Sequence, residues 1–208
     1  ASDAGSAPPP PIIGVLALQG DFREHCVMLR LLGISPIEVR LPTDLDGLDG
    51  LIIPGGESTT ISKLMREYRL MEPIREFADS GNAVWGTCAG AIVIAQNATD
   101  LAGLNPLGLI DVDVRRNAFG RQVDSFHENL SITGIPGPDP FPGIFIRAPG
   151  IDRAGDRVEI LATASNAGAV AVREGQILAT TFHPELTADT RFHKMFVQMA
   201  TRKHATAL

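Results

Sequence analysis

Two short segments far apart in the chain carry the residue types of covalent acyl transfer. Gly86-Thr87-Cys88-Ala89-Gly90 follows the apolar stretch Ala83-Val84-Trp85, and His183-Pro184-Glu185 follows Leu178-Ala179-Thr180-Thr181-Phe182. The first reads as a nucleophile elbow, a strand turning sharply into a helix, where crowded backbone requires small neighbours such as Gly86 and Gly90. Cys88 then stands at the helix start, and positive helix-end charge together with a nearby imidazolium favours thiolate over thiol. His183 is the candidate base. Glu185 is its orienting carboxylate, fixing the tautomer and steadying the imidazolium that forms. A third segment, Leu51-Ile52-Ile53-Pro54-Gly55-Gly56-Glu57-Ser58-Thr59, reads as a strand that ends in a glycine turn and enters a helix. Gly55 and Gly56 let bare backbone amides approach a tetrahedral intermediate, where one such donor is worth about a hundred- to a thousandfold in rate. The expected chemistry is acyl transfer through a thioester, with no metal.

Each segment alone has a plainer account. A lone cysteine in apolar surroundings is usually buried and inert, a histidine before proline can be a loop residue, and two glycines can be a simple turn. Their joint occurrence, each just after an apolar strand, favours the chemical reading. In an open α/β sheet the carboxyl ends of parallel strands converge on one crevice, which brings distant segments together.

The elements needed for that convergence are legible in the pattern. Residues 12–18 read as a buried strand, 22–32 as a helix closed by Gly33, 36–40 as a strand and 51–53 as the strand before the glycine turn. A helical stretch from Ser58 through Tyr68 to Asp79, interrupted near Pro73 and closed at Gly81, precedes the 83–86 strand and the Cys88 helix. Strand and helix in alternation imply a parallel sheet. The second half has shorter apolar runs at 109–114, 143–146, 158–162 and 169–172, and Glu174-Gly175 suggests a hairpin joining 169–173 to 176–181. From 189 to 203, Phe192, Met195, Phe196 and Met199 recur at helical spacing and read as core packing. The expected fold is therefore α/β: a single domain with a mostly parallel central sheet flanked by helices, and an antiparallel extension.

Composition is consistent with this. A chain of 208 residues, 44% hydrophobic, can bury one substantial core. A net charge of -6 argues against nucleic-acid or anionic membrane surfaces, which call for clustered lysine and arginine. No apolar run reaches the roughly twenty residues that span a bilayer. Cys26 and Cys88 are the only cysteines and lack zinc-site spacing, and a working thiol favours a reducing compartment, so the cytoplasm is expected. Residues 1–11 are small, polar and proline-rich and are expected to be a disordered or extended segment outside a 12–204 domain. They lack the charged start and long apolar middle of a secretory signal.

At Gly86-Thr87-Cys88-Ala89-Gly90 and His183-Pro184-Glu185 the chain resembles the class I glutamine amidotransferases, which hydrolyse glutamine and pass ammonia to a partner active site. Four further segments narrow the resemblance to the glutaminase subunits of pyridoxal 5'-phosphate synthases. They are Leu16-Ala17-Leu18-Gln19-Gly20 with Glu24-His25, Pro54-Gly55-Gly56-Glu57-Ser58-Thr59-Thr60, Arg115-Arg116-Asn117-Ala118-Phe119-Gly120-Arg121-Gln122, and Phe145-Ile146-Arg147-Ala148-Pro149. The resemblance runs from about residue 13 to about residue 203 and is weak over 97–106 and 128–142. It implies that L-glutamine is the substrate, that Gly55, Gly56 and Glu57 contact it, and that Arg116, Ile146 and Arg147 help to hold it. An arginine fork suits its carboxylate and Glu57 its ammonium. It further implies a hetero-oligomer with a synthase subunit that receives the ammonia, and no cofactor in this chain. Gln19 is given a positioning role near the glycine turn, His25 a structural one, and Cys26 that of a small buried thiol. A class I glutaminase serving a different synthase, a cysteine hydrolase or chaperone of similar fold, and a noncatalytic subunit remain alternatives.

Overall fold

The structure, a computed structural model, describes residues 7–99, 101, 103, 105–116, 118, 125–138 and 140–205. Asn117 and residues 119–122 of the arginine-containing motif lie outside the described residues. The first half builds β1 (Ile13–Leu16), α1 (Phe22–Leu31), β2 (Ile37–Val39), β3 (Gly50–Ile53), α2 (Ser58–Glu67), α3 (Met71–Asp79), β4 (Ala83–Thr87) and α4 (Ala89–Ile94). The second half is β5 (Ala95–Thr99), β6 (Ile110–Arg115), β7 (Ser125–Leu130), β8 (Phe141–Ile146), β9 (Gly150–Ala154), β10 (Glu159–Ala164), β11 (Gly168–Glu174), β12 (Ile177–Thr180) and α5 (Arg191–Ala205). No helix among the described residues is long and apolar enough to cross a membrane.

Seven strands form the central sheet in the order β10-β11-β12-β4-β3-β1-β2. From β12 to β2 every neighbouring pair is parallel, whereas β10, β11 and β12 run antiparallel to one another, which is the expected extension. The expected hairpin is present, with Glu174 opposite Ile177, so its two loop residues are Gly175 and Gln176. Two small sheets, β5-β6-β9 and β7-β8, stand apart from the central one.

The four middle strands, β12, β4, β3 and β1, are buried on both faces, so side-chain alternation feeds two cores. Leu51, Ile53 and Val84 point into one, with Ile61 and Met65 of α2 and Ile74 and Phe77 of α3. Ile52 and Trp85 point into the other, with Cys26 and Leu29 of α1 and Phe192, Met195, Phe196 and Met199 of α5.

One helix boundary differs from the expectation. The break falls at residues 68–70, where Arg69 has φ +58, and not at Pro73. Pro73 is the third residue of α3, in the first turn, where backbone N–H groups have no intrahelical acceptor to lose. A proline there starts a helix without interrupting one.

The elbow is packed backbone to backbone. A Cβ on Gly90 would stand 1.9 Å from the Ile53 carbonyl oxygen, and one on Gly86 would stand 2.4 Å from that of Gly90. Neither neighbour is a side-chain tip that could swing aside. Gly90→Ala is expected to lower stability by about 3 kcal/mol or more, because backbone must move to admit the methyl group. Gly81→Ala is the control: Gly81 has φ +83 but open space around it, so its cost is the left-handed backbone alone, about 1–2 kcal/mol. Urea unfolding midpoints of the two variants check the order.

Candidate active site

Three adjacent strands carry the three motifs. β12, β4 and β3 are neighbours, with Thr180 paired to Thr87 and Ile53 to Gly86, so their carboxyl ends finish level. β1, beside β3, delivers Gln19 and Asp21 to the same edge. Beyond these ends lies a pocket of about 370 Å³, room for a free amino acid with water.

Cys88 occupies the strand-to-helix junction with φ +51 and ψ -108, a conformation that costs a non-glycine residue about 1–3 kcal/mol and is found where a side chain must be presented. Its N–H is anchored to the Thr180 carbonyl at 2.8 Å, and its Sγ lies 3.9 Å from the Ile146 carbonyl oxygen. α4 has only six residues, so its dipole is small and the imidazole becomes the main support for a thiolate.

His183 lines the pocket beside Cys88, whose thiol is one of the groups that favour the charged imidazole. On its other flank, Nδ1 is 2.5 Å from Glu185 Oε1 and 3.4 Å from Asp21 Oδ2. Nδ1 thus donates to carboxylate, which leaves Nε2 as the nitrogen for the thiol. Burial disfavours the imidazolium, yet the Asp21, Cys88 and Glu185 side chains beside it outweigh this and push His183 up to about 12. Burial raises Glu185, partly offset by its bond to His183. Asp21, His183 and Glu185 each bring a ligand-type atom within 4.8 Å of the others. A zinc ion bonds nitrogen and oxygen at about 2.0–2.2 Å each, which sets two ligand atoms about 3 Å or more apart, so the 2.5 Å Nδ1–Oε1 approach is that of a hydrogen bond.

Glu185 is supported from behind by a fully buried chain of groups. His25 Nε2 is 3.5 Å from Glu185 Oε2 and 3.1 Å from Thr87 Oγ1, and His25 Nδ1 is 2.8 Å from His193 Nε2. His193 Nδ1 has no hydrogen-bond partner among the described residues. Placing protons on His193 Nε2 and His25 Nε2 orphans no N–H and leaves the His193 Nδ1 lone pair and Glu185 Oε2 without a hydrogen-bond partner among the described residues. Both histidines are therefore neutral, and burial lowers both, His193 to about 3.

The glycine turn lies against His183 and Cys88: a Cβ on Gly55 would stand 2.8 Å from His183 Cε1 and 3.3 Å from Cys88 Cβ. The Gly55 carbonyl accepts from the Asp21 N–H at 3.0 Å, and the Glu57 N–H donates to Gln19 Oε1 at 2.8 Å. Gly56, Glu57, Arg116, Ile146 and Arg147 all line the pocket with Cys88 and His183, while Glu185 stands behind the imidazole. Arg116 Nη2 pairs with Glu57 Oε2 at 3.2 Å, so the two expected substrate contacts hold each other. Arg147 has φ +43, a left-handed turn that sets the Ile146 carbonyl towards the thiol.

A family profile described as the SNO glutamine amidotransferase family matches residues 15–202. The chain belongs to that glutamine amidotransferase family. A protein of Dehalococcoides mccartyi named pyridoxal 5'-phosphate synthase subunit PdxT is 56% identical over 189 residues, covering 90% of this chain and 96% of that one. One of the same name from Chloroflexus aggregans is 51% identical, covering 90% and 99%. A crystal structure described as a glutamine amidotransferase superposes with a TM-score of 0.85 at 49% identity, covering 91% of this chain and 98% of the other. The fold alone is shared with PurLQS from Thermotoga maritima, at a TM-score of 0.66 and 15% identity.

Around this pocket, two residues escaped the sequence reading. Asp21 precedes α1 and looks like an ordinary helix cap, and His193 sits in a helix whose apolar neighbours dominate its pattern. Only spatial proximity to His183 and His25 reveals them. His25 and Cys26 are buried as expected.

The lowered histidines set the sign of an acid effect. An unfolded chain takes up protons below its ordinary histidine value of about 6.5, whereas folded His193 resists until about 3. The stability they lend is present above that ordinary value and is lost as pH falls from 6.5 towards 3. Urea midpoints should decline across that range, and His193→Gln should flatten the slope by up to one proton's worth.

Proposed function

We propose that the protein is a glutaminase that hydrolyses L-glutamine to glutamate and ammonia through Cys88, His183 and Glu185, and supplies the ammonia to a pyridoxal 5'-phosphate synthase subunit in vitamin B6 biosynthesis. The observation that carries the reading is a thiol and an imidazole facing one pocket, with Nδ1 of that imidazole held by a buried carboxylate. Membership of a glutamine amidotransferase family and the printed name of the relatives support the substrate and the partner.

His183 takes the Cys88 proton, and the sulfur adds to the carboxamide carbon of glutamine. The developing oxyanion is met by backbone amides, those of Gly56 and Ala89, since the Glu57 N–H is already given to Gln19. The carbon–nitrogen bond breaks as the imidazolium returns its proton to nitrogen, leaving ammonia and a glutamyl thioester. Water then adds to the thioester carbon, His183 takes its proton, and the thiolate departs from glutamate. Glu57 holds the substrate ammonium, while Arg116 and Arg147 hold its carboxylate and the Ile146 main chain borders the thiol. Ammonia released into water at neutral pH is mostly protonated and no longer nucleophilic, so docking against the synthase subunit protects its reactivity. A free working thiol suits a reducing cytoplasm, and the chain needs no cofactor, nucleic acid or membrane for this reaction.

Glutamate release from glutamine, measured with and without the synthase subunit, tests the proposal. Cys88→Ala should abolish it, by at least about a thousandfold, and Glu185→Gln should lower it by about a hundred- to ten-thousandfold through loss of the tautomer lock. A glutamine-mimicking electrophile should label Cys88 and spare Cys26, whose thiol is buried and shifted upwards by that burial. Turnover that persists in Cys88→Ala, or label found chiefly on Cys26, defeats the assignment. Co-purification with another synthase would redirect the ammonia and leave the chemistry intact.

A further inference from the structure

We propose that Asp21 is a second carboxylate for His183, a positioning residue that works with Glu185 to hold the imidazolium during turnover. The inference rests on the assignment of His183 as the base of the reaction.

Asp21 is the residue that caps α1, yet its side chain makes no capping hydrogen bond. An aspartate in that place ordinarily satisfies a free helix N–H. Its Oδ2 instead lies 3.4 Å from His183 Nδ1, the nitrogen that Glu185 approaches to 2.5 Å. Asp21 is also tied to the glycine turn through its own N–H, bonded to the Gly55 carbonyl at 3.0 Å. One residue thus touches the base by its side chain and the turn beside the thiol by its main chain.

The two carboxylates differ in surroundings, and so in what they can contribute. Glu185 has a side chain with no exposure and lies behind the ring, which suits it to fixing the tautomer. Asp21 lines the pocket with its side chain about one-third exposed, so it keeps its hydration and adds negative charge without a large burial cost. Burial opposes a charge on His183, and the Asp21 carboxylate 3.4 Å from Nδ1 stands first among the neighbours that counter this. The other charged or titratable groups around the ring are Cys88 on the elbow, Glu185 behind it and His25 on α1, with Glu57, Arg116 and Arg147 across the pocket.

The imidazolium gives its proton to departing ammonia, so its stability matters at that step and again when water is deprotonated. An opposite charge at this range moves a pKa by about one to three units, and solvent exposure reduces this to about half to one unit here. The test is nuclear magnetic resonance titration of the His183 ring in a Cys88→Ala background, which removes the thiol's own influence. Only five histidines need assignment. Adding Asp21→Asn should lower the His183 midpoint by about half to one pH unit, and the same substitution in the chain with Cys88 intact should slow glutamate release three- to tenfold, measured with the synthase subunit present. Asp21→Ser keeps a capping oxygen without the charge and gives the same readings if the asparagine disturbs α1. Coincident midpoints, or a lowered midpoint with unaltered glutamate release, would each overturn the proposal. Failure of the glutaminase reading is distinct, since it shows as turnover that survives Cys88→Ala.

Discussion

The level finish of β12, β4 and β3 is the constraint on which the site depends. Pairing Ile53 with Gly86 and Thr180 with Thr87 means that the residues just beyond each strand arrive at one height. A slip of one residue in either pairing would turn the inward and outward faces of a strand over, exchanging Trp85 and Val84 between the two cores. Such an exchange is prohibitive in strands buried on both faces, so the hydrophobic pattern fixes the register, and the register fixes the distance between thiol and imidazole. Precision in the chemistry is thereby inherited from packing that has no chemical role. The strained turn at Cys88 is held by the same packing, with Gly90 pressed against the Ile53 carbonyl and the Cys88 N–H tied to Thr180.

Electrostatics in the pocket is a contest between burial and pairing. Removing His183 from water works against its charge, and three polar neighbours reverse that. Behind them, His25 and His193 are held neutral by the same burial that Glu185 endures. A neutral imidazole 3.5 Å from the outer oxygen of Glu185 is a polar neighbour that adds no second positive charge next to His183. Hydrophobic replacements would fill the space but leave a carboxylate oxygen facing hydrocarbon, which is costly for a charged group.

Most of the scaffold was legible because it is encoded by patterns with a short physical range. Continuous apolar runs marked β1, β3, β4 and β12, and left-handed glycines marked the ends of α1 and α3. Cys88, His183 and Glu185 were readable since each follows such a run, and Gly55, Gly56, Glu57, Arg116, Ile146 and Arg147 through resemblance, all of them now found in or against one pocket. What escaped was of a different kind. β5, β7 and β9 are half-exposed strands of small sheets, where Asn97 with Asp113 and Arg153 with Asp111 and Asp113 meet across the strands. They carry no clean apolar alternation to read. Asp21 and His193 escaped because their roles are defined by partners more than a hundred residues away in the chain, and neither residue type is unusual where it stands.

The glycine turn shows how the amino-terminal strand gains authority over chemistry carried elsewhere. Two hydrogen bonds link the turn to the segment after β1: Gln19 accepts from Glu57, and the Asp21 main chain donates to Gly55. A Cβ on Gly20 would overlap the Gly55 carbonyl at 1.8 Å, so the two backbones are in contact with no side chain between them. The peptide planes of the turn therefore cannot rotate independently of residues 19–21. Since oxyanion stabilisation depends on where those planes point their N–H groups, any contact that shifts the β1–α1 loop also changes the donors offered to the intermediate. The loop bears on the reaction twice, through the turn and through the carboxylate beside His183, and both routes pass through residues that never bond covalently to the substrate.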